Sequence, residues 1–488
     1  MTADKRPEAS RAFLAAAALL GLAIVAGLLW VASHEWFFAD DFVFLHRAQL
    51  PQSLGDWLQT FVPTRPRRWW SYRPLTIEVY YALLTRAVGL VPFPYLAVNV
   101  AAHCLAALVL GRIARQLGYG IHAAVACVLL ALAAYASANE IFWAATFQHV
   151  GARLFYLITI STFLEWQRSG TRRWLIASCL VMLLTLTSNE IGVTLPGPLL
   201  LLALALGDGS AARRLSSAVR SVAPHLGIMA SFVWFRWFYM PPAMIKPSFA
   251  YIATVGPHII TNVGSYLAMF AHYGIAHGAA LAALIALTWR AVRRSGHREV
   301  GRQLASRSGI CLGWALLVML PFLGWIQAQP RIGMSLEAPL CLLVAAHFDA
   351  ISRLVPARRM RVFEVALLVF IALSIPLRTL RDRARWPRGG VNRDLAAILS
   401  TRPPLGRLGC VILRRQDEPQ WTWSDRFEAK FRTNGILAAL QPRTVPRLYI
   451  GVEPKLQRPC IELEIRRRPG LTFEIREPDP APSSRAPS

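Results

Sequence analysis

Trp36-Phe37-Phe38-Ala39-Asp40-Asp41-Phe42-Val43-Phe44 sets two adjacent carboxylates inside an aromatic run, just past the first long apolar segment, 12–32. That segment is uncharged and long enough to cross a bilayer as a helix, for which about 20 residues suffice. The acids therefore stand where the chain first leaves the membrane. A solvated turn has little need of six large apolar residues around its acids. A site at a membrane surface does.

Composition agrees. Of 488 residues, 55% are hydrophobic and only 16% are charged, against about 25% charged in soluble proteins. The class is a multi-span membrane protein. The formal net charge of +26 does not point to nucleic acid, because the basic residues fall in short clusters between apolar segments. Nearly all are arginine; the lysines are Lys5, Lys246, Lys430 and Lys455. The first apolar segment is too long for a signal core and lacks a clear small-x-small cleavage site, so it reads as a retained anchor. Cys104, Cys127, Cys179, Cys311 and Cys341 lie in apolar segments and read as small core residues.

Residues 33–93 contain no clean span and form an outer loop. This loop holds the acid pair, the basic-aromatic run 65–70 and Tyr72-Arg73-Pro74-Leu75. An amphipathic pattern over 75–91 predicts a helix lying in the interface, with Tyr80, Tyr81 and Leu84 on its apolar side. Candidate spans follow at 95–111, 123–137, 141–166, 174–187, 192–206, 222–239, 275–287, 310–326, 334–346 and 362–376. The expected fold is mainly α and polytopic, with about 11 transmembrane helices and a small C-terminal α/β domain. Its parts are a transmembrane domain over 1–380, the α/β domain over 390–477 and a Pro/Ser-rich disordered tail over 478–488. Strands are expected at 410–413, 447–452, 460–465 and 471–475, with a helix at 424–440.

Arginine placement orients the chain. Alternate connections carry Arg112 and Arg115; Arg168, Arg172 and Arg173; Arg213, Arg214 and Arg220; Arg290, Arg293 and Arg294; and Arg353, Arg358, Arg359 and Arg361. The intervening connections are nearly free of positive charge. The positive-inside rule makes the first set cytoplasmic. The protein is then a multi-pass cell-membrane protein (inner membrane in a bacterium) whose acid-pair loop and C-terminal domain are extracytoplasmic. The basic run 378–388 falls on the outer side in this scheme; long tails obey the rule poorly. In an oxidising compartment Cys410 and Cys460 are a disulfide candidate closing a loop of about 50 residues; the alternative is two buried thiols on neighbouring strands.

The outward connections concentrate the candidate site residues. Adjacent residues in an extended chain point to opposite sides, and in a helix they splay by about 100°. Asp40 and Asp41 therefore cannot both address one reacting atom: one faces the site while the other caps, pairs with arginine or binds a metal. Arg73, ahead of Pro74, is placed either to bind an anionic head group or to snorkel to lipid phosphate. Asn99 and His103, one turn apart, share a face and serve either an interhelical hydrogen bond or the site. Glu140 begins a span that carries His149 and Arg153 deeper along one face; Arg153 fits either a site role or a buried ion pair with an acid on another span. Ser188-Asn189-Glu190 puts another acid at a helix boundary, and Arg331 stands at the outer start of a late span, well placed to hold a phosphate. No phosphate-cradling glycine loop, dinucleotide fingerprint, zinc-spaced Cys/His cluster or nucleophile elbow is present.

The order of these motifs resembles the GT-C superfamily of membrane glycosyltransferases. The particular likeness is to its protein O-mannosyltransferase-like branch, which includes the transmembrane and tetratricopeptide-repeat O-mannosyltransferases. The likeness rests on Asp40-Asp41 after the first span, Tyr72-Arg73-Pro74-Leu75, Asn99 and His103, the outward Glu140, Ser188 to Pro196, and Arg331, over roughly the first 350 residues. The family's Ser-Lys-Glu is Ser188-Asn189-Glu190 here, and the tetratricopeptide repeats are missing. The resemblance implies transfer of a sugar (mannose or another hexose or pentose) from a polyprenyl-phosphate donor to a hydroxyl on a protein or glycan acceptor, outside the membrane, with inversion. It implies Asp40 as general base, Arg331 and then Arg73 on the leaving phosphate, and Asp41 or Glu140 orienting the sugar or holding Mg or Mn. The rivals are a transporter or flippase of lipid-linked glycans, which predicts acids deep within spans and internal repeats, and an O-antigen polymerase or ligase, which predicts a large outer loop late in the chain.

Overall fold

The computed structural model describes residues 11–37, 40–48, 53–62, 72–134, 140–239, 256, 259–262, 275–323, 330–385, 410–415, 447–450, 460–468 and 472–476. The run 65–70, the helix expected at 424–440 and the tail 478–488 lie outside these residues, as do the side chains of 331–334.

The helices are α1 (Arg11–Ala32), α2 (Asp40–Ala48), α3 (Leu54–Gln59), a π-helical turn (Pro74–Val79) running into α4 (Tyr80–Val88), α5 (Pro92–Gln116) and α6 (Ile121–Leu132). A 3-10 turn (Ala144–Thr146) leads into α7 (Phe147–Ser169), followed by α8 (Arg172–Ser188), a second 3-10 turn (Glu190–Thr194) and α9 (Pro196–Leu206). The rest are α10 (Ala211–Tyr239), α11 (Ile275–Ser295), α12 (Arg298–Leu323), α13 (Pro330–Leu354) and α14 (Ala357–Arg385). Five described helical segments are long and apolar enough to cross a membrane: Arg11–Ala32, Pro92–Gln116, Ala211–Arg236, Arg298–Leu323 and Ser335–Leu354.

Local chemistry sets several boundaries. Pro92 and Pro196 open α5 and α9 at the position where a missing N–H costs nothing. Gly170, at φ 65°, ends α7 in the left-handed conformation that glycine adopts without strain. Inside a bilayer helices gain little from hydrophobic transfer and associate through close packing, so small residues mark their contacts. The α5–α6 contact obeys this rule: Ala106, Ala107, Ala114, Ala123, Ala124, Ala126 and Ala131 are buried there, and a Cβ on Gly111 would run into Val128. Helix α7 packs on both α5 and α8, α9 on α10, and α13 on α6 and α12.

Three expectations change. The span predicted at 141–166 is broken, because the backbone leaves helical geometry after Ile141, makes a 3-10 turn and resumes only at Phe147. Helix α14 runs through Pro376 to Arg385 and takes in part of the basic run. The segment predicted as an interfacial helix begins as a π turn, and its apolar side meets protein. Tyr80 stacks on Phe147 with centroids 4.0 Å apart, and Tyr80 and Tyr81 are buried.

Strands β1 (Cys410–Arg415), β2 (Arg447–Ile450), β3 (Cys460–Arg468) and β4 (Thr472–Arg476) form a sheet of order β2-β1-β3-β4. The pairs β1–β2 and β1–β3 are parallel and β3–β4 is antiparallel, with Cys410 directly across from Cys460.

Candidate active site

The short element 73–81 joins the two acidic centres. At its start, the Arg73 guanidinium donates from Nε (2.8 Å) and Nη2 (2.5 Å) to Oε2 of Glu190, and from Nη1 to Oε1 of Gln148. Arg236, at the far end of α10, donates to the other carboxylate oxygen, Oε1, at 2.7 Å. Thr76 docks the π turn by donating to the carbonyl of Ser188 at 2.9 Å. At its end, the Tyr81 hydroxyl donates to Oδ1 of Asp41 at 2.9 Å. The element therefore contacts Glu190 at one end and Asp41 at the other.

The two aspartates are placed differently. Both fall in the first turn of α2, where a carboxylate complements the helix dipole. Asp41 is 1% exposed, and its Oδ1 also accepts the backbone N–H of Ala145 in the 3-10 turn. That contact stops the chain at 141–146 from continuing as a helix, since Ala145 N–H is committed to a side chain on another element. Asp40 is half-exposed. One acid organises the backbone, and its neighbour is half-exposed.

Around Glu190, chemistry and burial oppose each other. Burial works to raise its carboxyl pKa, but Arg73 and Arg236 outweigh burial and hold it at about 2. The cluster of two guanidinium groups and one carboxylate therefore carries a net positive charge. Asn189 side-chain Nδ2 lies 3.1 Å from Nδ1 of His149, and its Oδ1 caps the 3-10 turn through Ile191 N–H.

The other expected residues sit as follows. The buried Asn99 donates from Nδ2 to the carbonyls of Ile141 (3.2 Å) and Trp143 (2.9 Å), holding the broken segment beside Asp41. His103 Nε2 lies 3.1 Å from the carbonyl of Leu132, tying α5 to α6. Glu140 is buried, and its carbonyl accepts the hydroxyl of Thr146. Arg153 donates to Glu337 of α13 at 2.9 Å, both side chains almost fully buried, so the two form an ion pair inside the bundle. Arg331 is the second residue of α13, with its side chain outside the described residues. Sequence reading missed Gln148, Tyr81 as an acid's partner, and Arg236. A signal for Arg236 existed: it is a cation at the outer end of a span whose following connection is otherwise poor in positive charge.

Among the described residues, no group of three or more His, Cys, Asp or Glu side chains converges as a metal donor set. Asp41, the buried acid of the pair, is occupied by Tyr81 and Ala145.

The architecture is similar to those of solved ArnT and oligosaccharyltransferase structures. ArnT from Cupriavidus metallidurans in the apo state matches with a TM-score of 0.50 over 88% of this chain and 89% of its own, at 15% identity. Its structure bound to undecaprenyl phosphate matches with a TM-score of 0.51 at 13% identity, with the same coverage. The apo oligosaccharyltransferase from Archaeoglobus fulgidus matches with a TM-score of 0.50 at 12% identity, over 90% of this chain and 64% of its own. No protein-family model matches the sequence, and no curated protein is similar to it. The chain is thus a membrane protein that shares the fold of these structures.

Proposed function

We propose that this protein is an integral-membrane glycosyltransferase of the O-mannosyltransferase-like branch. It moves a sugar from a polyprenyl-phosphate donor to a hydroxyl of a protein or glycan acceptor, on the extracytoplasmic side and with inversion. The observation that carries this reading is the element 73–81, which holds an arginine cluster at one end and the acid pair at the other. A lipid-linked sugar needs that pairing: a base for the incoming hydroxyl and positive charge for the outgoing phosphate.

In the reaction the acceptor oxygen attacks the anomeric carbon, the bond from that carbon to the phosphate oxygen breaks, and the phosphate leaves with the electron pair. Asp40 takes the hydroxyl proton, a role worth about 10²–10⁴ in rate. Asp41 holds the turn at Ala145 and sets the position of Asp40. Arg236, the most exposed member of its cluster, and Arg331 meet the phosphate, while Arg73 keeps Glu190 and Gln148 in place; fixed charges of this kind act as electrostatic preorganisation. Eleven helices, α1 and α5 to α14, serve as spans, with 390–477 as an outer domain. The in-register placement of Cys410 and Cys460 supports their pairing, which non-reducing mass mapping checks.

The test is transfer from radiolabelled polyprenyl-phosphate sugars by purified protein. Asp40→Asn is expected to lose at least about a hundredfold in rate with folding intact. Asp41→Asn is expected to lose both activity and thermal stability. Wild-type transfer by a folded Asp40→Asn variant sinks the assignment.

A further inference from the structure

Away from the candidate active site, an open cavity of about 470 Å³ is lined by Trp166 of α7 and by Arg213, Ser216, Ser217, Arg220 and Ser221 of α10. On a helix, positions three, four and seven apart share a face, so both arginines and the serines of α10 form one polar stripe. None of the lining residues is acidic. Arg220 donates to the Ser216 hydroxyl at 2.9 Å, which orients part of its guanidinium along the stripe and leaves further donors for a ligand. The nearest acid in sequence on α7, Glu165, is engaged by Arg112 and Gln116.

The depth of the cavity follows from α10 itself. Arg236 at one end of this helix binds Glu190 of the candidate active site. Ser217, mid-way along the stripe, lies 19 residues earlier, or about 29 Å along the axis. That distance matches the about 30 Å hydrocarbon thickness of a bilayer, so the cavity opens at the opposite membrane surface. On the other side of the same turns, Leu215 and Val219 are exposed, apolar and aimed at lipid. Trp166 is half-buried, in keeping with the interfacial preference of indole rings.

We propose that this cavity binds the phosphate of an anionic phospholipid head group, with Arg213 and Arg220 as the charge-assisted donors and the serine hydroxyls completing the cradle. A phosphodiester offers two unesterified acceptor oxygens, and two guanidinium groups one helical heptad apart can each meet one of them. A soluble phosphate has the same head-group chemistry; the lipid is favoured because the cavity opens at the membrane surface beside the half-buried Trp166, on a helix whose opposite face at Leu215 and Val219 is apolar and exposed. The site is independent of the sugar-transfer reading.

The experiment is native mass spectrometry of the full-length protein released from phosphatidylcholine nanodiscs containing phosphatidylglycerol. Wild type is expected to retain phosphatidylglycerol over phosphatidylcholine. Arg213→Gln with Arg220→Gln weakens that retention about tenfold, the effect of losing charge-assisted hydrogen bonds. Arg214→Gln with Arg290→Gln removes the same charge outside the cavity and is expected to retain the lipid as wild type does. Equal retention in the cavity variant overturns the proposal, and so does equal loss in both double variants. Displacement of the lipid by millimolar inorganic phosphate overturns the lipid assignment in favour of a soluble anion.

Discussion

Each end of the bundle carries a carboxylate shared by two arginines, and the two trios behave as opposites. At one end, Glu190 joins Arg73 and Arg236 across three helical elements, with side chains 23%, 17% and 36% exposed. At the other, Asp349 joins Arg307 and Arg353 at 2.6 and 2.8 Å, with the carboxylate 2% exposed. Asp349 also accepts the N–H of Gly120. Arg307 spends its remaining donors on the carbonyls of Leu117 and Gly118 and lies 4.4 Å from the Tyr119 ring centroid. The Asp349 trio is a clamp that closes the α5–α6 turn against α12 and α13. The Glu190 trio is open at Arg236. Equal stoichiometry thus separates into structure and availability by burial and by where the spare donors point.

The largest expected effect is at the closed clamp. Asp349→Asn strands two cations in a mostly buried setting, and breaking a buried pair from one side costs about 3–5 kcal/mol. Thermal unfolding followed by fluorescence-detected gel filtration should show a steep loss of folded protein. A variant that melts like wild type would mean the clamp is no more structural than its counterpart.

The counterpart should respond in function more than in stability. Glu190→Gln leaves Arg73 and Arg236 beside each other at a part-exposed site, at a cost of about 1–3 kcal/mol. It also frees them from alignment, so kcat/KM for the lipid-linked donor is expected to fall about tenfold. Arg236→Gln is milder in stability, within about 1 kcal/mol as for exposed ion pairs. It should raise KM for the donor while leaving the melting curve nearly unchanged. A stability loss as large as that of Asp349→Asn would erase the distinction between the two ends.

The same contrast explains what was legible in the sequence. Apolar runs located the cores of the helices, although α10 and α12 begin well before the expected 222 and 310, and β-branched runs located the four described strands, because those signals are local. Partners were illegible. Arg153 reads equally as a site cation or a buried one until Glu337, 184 residues away, is seen beside it. The break at 141–146 has no composition signal, since Ile141, Phe142, Trp143, Ala144 and Ala145 continue an apolar run. It is a tertiary event dictated by Asp41 and Asn99, so singling out the acid pair still left its effect on the neighbouring span unseen. Pro376 suggested a helix end that the backbone ignores.

The smallest expected effect is acid sensitivity, and it tests the electrostatics of the open trio alone. Glu190 is held at about 2 in the folded protein, below its ordinary value of 4.5. A depressed carboxyl pKa stabilises the fold above the unfolded value, and that contribution is lost as pH falls from about 4.5 towards about 2. Between pH 7 and pH 4 only the upper edge of this window is entered, so the loss from Glu190 is at most about 1 kcal/mol. The difference in melting temperature between wild type and Glu190→Gln should therefore narrow slightly on going from pH 7 to pH 4. A gap that widens with acidity would show that the two arginines do not hold the carboxylate ionised, and the open trio would lose its fixed positive charge.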